Sequence, residues 1–300
     1  MNTTTLSERD AIMLKPSERI KDLKKLLDIT ELVSQIDNKF ASSIRTLEAQ
    51  KIYEKISLHA HSFYKLWPTD NESIKLLDAS SLASIARNIF EATKVYNYLC
   101  ERGISEEEFE LRLHTMFMHD SMGREKILRK FGFTYHDDNI QVNSITSTYA
   151  QGILEQNSLF NNLDEKLKNK ILKGEKAYLH DRVSKSRTLF TKEFESGIYN
   201  LLSNSVHSYP LGLNNYSGGL SEGFHLGMYH LIVIAIEVSV INLASVLDAY
   251  LGLRKYKSLL DKECLLFIKS MISTKNFMLW LEGRKLKGLD GFFSVNLESS

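Results

Sequence analysis

Two short constellations in this 300-residue chain carry side chains suited to chemistry. The first is Arg87 with Glu91, one helical turn apart. The second is Tyr199, Ser203 and His207, each four residues after the last. An arginine presents five donors in a planar fork that fits a phosphate, and it stays charged. A histidine titrates near neutrality, and His207 falls near a predicted helix C-terminus, where the dipole favours the protonated form. It is therefore suited to general acid or base work. A phosphate held between Arg87 and His207 is the chemistry these residue types support. Each set also has a purely structural use. Arg87 and Glu91 can make a solvated ion pair worth about 0.3–0.5 kcal/mol, and Tyr199 and His207 can bond neighbouring helices.

A third set lies on the most apolar stretch of the chain. His230, Glu237 and Asp248 are seven and eleven residues apart, which places them within about 20° around a helix. They form a polar line on an apolar rod. The line is either a seam facing solvent or a buried row that needs a cationic partner; Arg87 is one cation able to reach Glu237. Length and apolarity of 226–251 suit a membrane span. A carboxylate near its middle costs about 3 kcal/mol on insertion scales, so a central helix covered by its neighbours is the expected use.

Other chemistries lack their residues. There is no phosphate-binding glycine loop ending in Lys-Ser/Thr, no strand-linked G-x-G-x-x-G, no C-x-x-C, no H-E-x-x-H and no G-x-S-x-G. The one Glu-x-x-His, Glu222 to His225, lies where a loop enters a helix, so no metal and no cofactor are expected. The loop 211–223 holds four glycines and no lysine, which suits a connector.

The elements that must position these residues read as helices throughout. Apolar residues recur at three- and four-residue steps from Ser17, through Ile20, Leu23, Leu26, Leu27 and Val33. A second helix runs from about 40 to Trp67, ended by Pro68. A third begins after Asp70, with an internal restart at Asp78 or Ser80, and continues to Arg102, ended by Gly103. Ser105 with Glu108 reads as a capping box opening a helix to Phe131, closed by Gly132. Shorter helices are expected over 144–160, 164–173 and 175–187, then longer ones over 191–208, 224–251 and 255–281. No segment alternates like a strand. The fold class is all-α, an irregular multi-helix bundle with one long buried apolar helix near the C-terminus. Residues 1–16 and 286–300 read as tails around a helical domain over 17–285, with a subdivision expected near 133–143.

Composition narrows the setting. Lys plus Arg number 38 against 37 for Asp plus Glu, so a basic surface would have to be assembled locally by folding. Cys100 and Cys264 are the only cysteines and lie among apolar neighbours, as free thiols do. The first ten residues lack the pattern of a signal peptide, so a cytoplasmic location is expected, and a membrane is not the expected partner.

The segments 78–99 and 199–210 together resemble a group of uncharacterised bacterial helical proteins. Those carry an "Arg, two residues, Phe-Glu" helix and, about a hundred residues later, a Tyr-x3-Ser-x3-His helix. Here these are Arg87 to Glu91 and Tyr199, Ser203 and His207, within a stretch of about 130 residues. The group is distantly similar to HEPN-type domains, many of which are toxin or antiphage ribonucleases or their partners. The resemblance implies an RNA- or protein-binding component of a bacterial defence or toxin–antitoxin-like system. Its enzymatic version is a metal-independent endoribonuclease, a homodimer, using Arg87, Glu91, Tyr199, Ser203 and His207. This chain departs from active HEPN members, which carry Arg-x4–6-His: no arginine precedes His207 at that spacing. Arg129 and His136 match it, but Gly132 interrupts the helix between them. If the resemblance holds, the two motif helices pack together and bring Arg87 or Glu91 to Tyr199, Ser203 or His207.

Overall fold

The computed structural model describes residues 14–36, 43–68, 77–179, 186–205 and 226–286. All regular structure among them is helical. The chain forms two compact units, one from residues 1–97 and 187–300, the other from 98–186.

Apolar periodicity sets the first three helices. In α1 (Pro16–Ile36), Ile20, Leu23, Leu26, Leu27 and Val33 are all buried. Pro16 occupies the first helical position, where its missing N–H has no partner to lose. Ser43 opens α2 (Ile44–Leu66) with a reciprocal cap: its hydroxyl accepts from the Thr46 amide at 3.2 Å, and the Ser43 amide donates to Thr46 Oγ1 at 3.0 Å. That helix stops at Trp67, before Pro68, as the pattern predicts. At the start of α3 (Ala79–Leu99) the Asp78 carboxylate accepts from the Ser80 and Ser81 amides.

The second unit contains α4 (Glu106–Lys130), α5 (Asp138–Gln156), the single turn α6 (Ser158–Asn161) and α7 (Glu165–Leu172). Ser105 caps α4 by accepting from the Glu108 amide at 3.1 Å. The expected capping box is only half built, because the Glu108 carboxylate pairs with Arg112 instead. The segment 133–143, where a subdivision was expected, lies within the second unit. The turn there closes at Asp137, whose carboxylate accepts from the Thr134 amide at 2.6 Å, and the rest of the segment is already α5. Leu111 and Met118 of α4 share one core with Ala150 and Leu154 of α5 and with Phe160 and Ile171. Buried Asn143 ties the pair by donating to the Ser121 carbonyl at 2.7 Å. Gly174 follows α7 with φ 67°, and a Cβ there would fall 2.5 Å from that of Met122, so both conformation and space demand glycine. Residues 175–179 take no helical form, with bends at 177–179, where the start of a helix over 175–187 was expected, and residues 180–185 of that segment lie outside the described residues.

The first unit resumes with α8 (Lys192–Asn204), α9 (Leu226–Leu253), α10 (Lys262–Met271) and α11 (Lys275–Leu286). The long apolar helix is α9, and the stretch from Met228 to Leu253 is long and apolar enough to cross a membrane. In the fold 94% of its most apolar window is buried, against α1, α2, α8 and α10. Tyr250 stacks on Tyr53 with ring centroids 4.3 Å apart. The single helix expected over 255–281 is two helices. Asp261 caps the first, accepting from the Cys264 amide at 2.6 Å. Ser273 and Thr274, both cap-forming residues, separate it from the second.

The polar line on α9 does not face solvent. His230 and Glu237 are 4% and 5% exposed. The cation that meets Glu237 is Arg19 of α1, with Nη2 2.9 Å and Nε 3.1 Å from Oε2. Arg19 also donates to Asp22 at 3.2 Å. Burial pushes the Glu237 carboxyl above its ordinary range, while Arg19 holds it back. Asp248, at the other end, pairs with Lys257 at 2.6 Å, and His230 packs edge-on against Trp280 with centroids 5.5 Å apart. Arg87 takes no part in this row.

Candidate functional site: the seam between α3 and α8

The two motif helices meet in the first unit through their side chains. On α3, Leu82, Ala86, Ile89 and Phe90 are buried, which turns Arg87, Glu91 and Lys94 toward one flank. On α8, Ile198 and Leu202 are buried, and Glu195, Tyr199 and Ser203 follow one another at four-residue steps. The two polar ridges meet. Phe90 approaches Phe190, just before α8, with centroids 6.5 Å apart, and Asn97 Nδ2 donates to the Arg187 carbonyl at 2.7 Å.

At the centre, Arg87 Nη2 donates to the Tyr199 hydroxyl at 3.1 Å. Its guanidinium carbon stands 5.1 Å from the Tyr199 ring centroid, and Lys94 Nζ stands 5.5 Å from it. Two cations therefore flank one phenol ring. The Arg87 hydrogen bond holds the Tyr199 phenol below its ordinary pKa, with Ser203 adding to the effect and Glu91 opposing it. Ser203 Oγ is buried beside that hydroxyl and, among the described residues, completes no hydrogen bond of good geometry.

The cations have unequal neighbours. Lys94 pairs with Glu91 at 3.5 Å and with Glu195 at 3.4 Å, and Glu195 Oε2 accepts from the Arg187 amide at 2.9 Å. Arg87 is half-buried, and among the described residues no carboxylate lies within 4 Å of it. The solvated Arg87–Glu91 pair is thus not formed: Glu91 turns to Lys94, and Arg87 crosses to Tyr199. Of the residues singled out in the sequence, Arg87, Glu91, Tyr199 and Ser203 share this seam, and His207 lies outside the described residues. Lys94 and Glu195 were missed. Stepping three residues on from Glu91, or four back from Tyr199, would have put both on the same ridges.

The competing Arg129–His136 spacing builds nothing comparable. Arg129 gives two hydrogen bonds to Glu125, at 2.9 and 2.7 Å, and stacks over Tyr135. Among the described residues no group of three or more His, Cys, Asp or Glu is placed to hold a metal. Beside the seam, Phe194, Ile198, Leu201, Ile234, Phe277 and Leu281 line an apolar groove of about 360 Å³.

Fold and site together describe an all-helical protein with a cation–phenol seam between two of its helices. Compared with protein families, with curated proteins and with solved structures, the chain matches none.

Proposed function

We propose that this protein is an RNA-binding component of a bacterial defence or toxin–antitoxin-like system, acting in the cytoplasm, with Arg87 as its phosphate contact. One observation carries the binding role: Arg87 is half-buried on Tyr199, and among the described residues no carboxylate within 4 Å balances it. A partly desolvated guanidinium without a counter-ion is costly, and an incoming phosphate relieves that cost. Tyr199 fixes the fork by one donor and leaves the others for the ligand. Lys94 raises the local positive potential, although its own charge is shared with Glu91 and Glu195. The cellular context rests on the resemblance of the two motif helices to bacterial HEPN-like proteins.

A second reading, metal-independent cleavage of RNA, is favoured by the Tyr199 phenol, whose lowered pKa suits proton transfer beside a bound phosphate. The two readings separate in one experiment. Single-stranded RNA labelled at one end is incubated with the protein in EDTA, then followed by anisotropy and on a denaturing gel. Binding of intact RNA supports the first reading and shortened products the second. An anisotropy that never rises contradicts both, and points to a protein partner.

A further inference from the structure

We infer that a second anion site, for a single nucleotide unit of a single-stranded nucleic acid, lies in the cleft between α1 and the C-terminal end of α2. The net charge of the chain is only +1, so a basic site must be assembled from distant residues. Here Lys21 and Lys24 of α1 meet Lys65 of α2, with Tyr64, Trp67 and Pro68 completing a cleft of about 440 Å³. The volume lies within the range that takes a small ligand. Tyr64 is near enough to Lys24 to influence its charge.

The charges in this cleft are poorly balanced. Lys24 pairs with Asp28 on the open surface, an arrangement that binds weakly and exchanges readily. Among the described residues Lys21 and Lys65 have no carboxylate within 4 Å, and no acidic residue lines the cleft. The end of α2 contributes a partial negative charge of about half a unit, which the Lys21 and Lys65 ammonium groups outweigh, the charge of Lys24 being shared with Asp28 and Glu31. Two aromatic rings lie among these cations, both half-buried and so partly open to a ligand. Interleaved cations and aromatic faces match a ligand that carries phosphates and planar bases, because ammonium groups meet the phosphates while a base stacks on a ring. An anionic lipid surface would satisfy the lysines but would leave the planar faces without a specific use.

This site is separate from the α3–α8 seam and has its own reporter. The chain has two tryptophans, and Trp280 is 1% exposed, so a ligand in the cleft changes the emission of Trp67. The full-length protein is titrated with a five-nucleotide oligouridylate while tryptophan emission is recorded. Saturable quenching is expected. With about two phosphates engaged, affinity should fall roughly sevenfold between 50 and 200 mM salt. The Lys21→Ala/Lys65→Ala variant should lose most of the binding, and Trp67→Ala should weaken it roughly 5- to 100-fold in a label-based assay, while Trp67→Phe retains it. Quenching should persist in Arg87→Ala, which separates failure here from failure at the seam. Absence of quenching, binding indifferent to the lysine variant, or quenching by phosphatidylserine vesicles and not by the oligonucleotide would overturn the assignment.

Discussion

Replacing Arg19 with alanine should destabilise the first unit by about 3–5 kcal/mol at neutral pH, because it strands the Glu237 carboxylate in the core. The pair is well covered, with the Arg19 and Glu237 side chains 16% and 6% exposed. Among the described residues Arg19 is the cation that acts on Glu237, and Asp22, a like charge, opposes it. The effect has a defined pH dependence. Burial already raises the folded pKa of Glu237 above the ordinary value of 4.5, so the folded state binds more protons than the unfolded chain above that value. Stability from this group is fully present below the unfolded pKa and is lost as pH rises through the folded one. Without Arg19 the folded pKa climbs further, so the variant should lose less at pH 4.5 than at pH 7.5. Urea unfolding followed by tryptophan emission is the assay, since Trp67 and Trp280 both lie in the first unit. With a slope of about 2 kcal/mol/M the midpoint should drop by about 1.5–2.5 M at pH 7.5. The double variant Arg19→Ala/Glu237→Met should recover most of the loss, because an apolar replacement leaves no stranded charge. A midpoint for Arg19→Ala unchanged at both pH values would refute the reasoning.

Three further outcomes follow from the geometry. Gly174→Ala should lower the melting temperature of the second unit, at a cost of about 1–3 kcal/mol for a left-handed residue facing Met122, as read by circular dichroism. Thiol titration of the denatured, unreduced protein should find two free thiols per chain, because Cys100 and Cys264 are unbridged; in the native protein Cys264 should react slowly at neutral pH, since burial raises its pKa. After lysis without detergent the chain should remain in the high-speed supernatant, given how fully α9 is covered; recovery only from a carbonate-resistant pellet would contradict that.

Local features of this fold were legible in the sequence wherever a short-range rule governed them. Gly132 adopts positive φ at the helix end where it was expected, because a helix C-terminus needs a left-handed residue within one turn, whereas Gly103 adopts it in a turn after α3 has already ended at Leu99 rather than at Arg102. The all-round apolarity of α9 likewise required burial on every side. Long-range partners were not legible. Arg19 and Glu237 are 218 residues apart, and nothing in either helix alone selects the other. The seam was partly legible: Arg87 and Tyr199, 112 residues apart, each carry polar groups that an isolated helix cannot use. The turn at 134–137 hid the start of α5, since its Asp-Asp-Asn run reads equally as loop or as helix entry.

The central claim is that Arg87 on Tyr199 supplies an unbalanced charge for an RNA phosphate, and the dissociation constant of single-stranded RNA for the wild type and Arg87→Ala tests it most directly. Both proteins are titrated by anisotropy at fixed salt, with circular dichroism confirming that the variant is folded. A charge-assisted hydrogen bond is worth about 1.5–3 kcal/mol, so the account predicts affinity weakened roughly 10- to 100-fold in Arg87→Ala. Arg87→Lys should restore only part of it, because an ammonium lacks the planar fork. Equal affinity in the wild type and a folded Arg87→Ala would contradict the account.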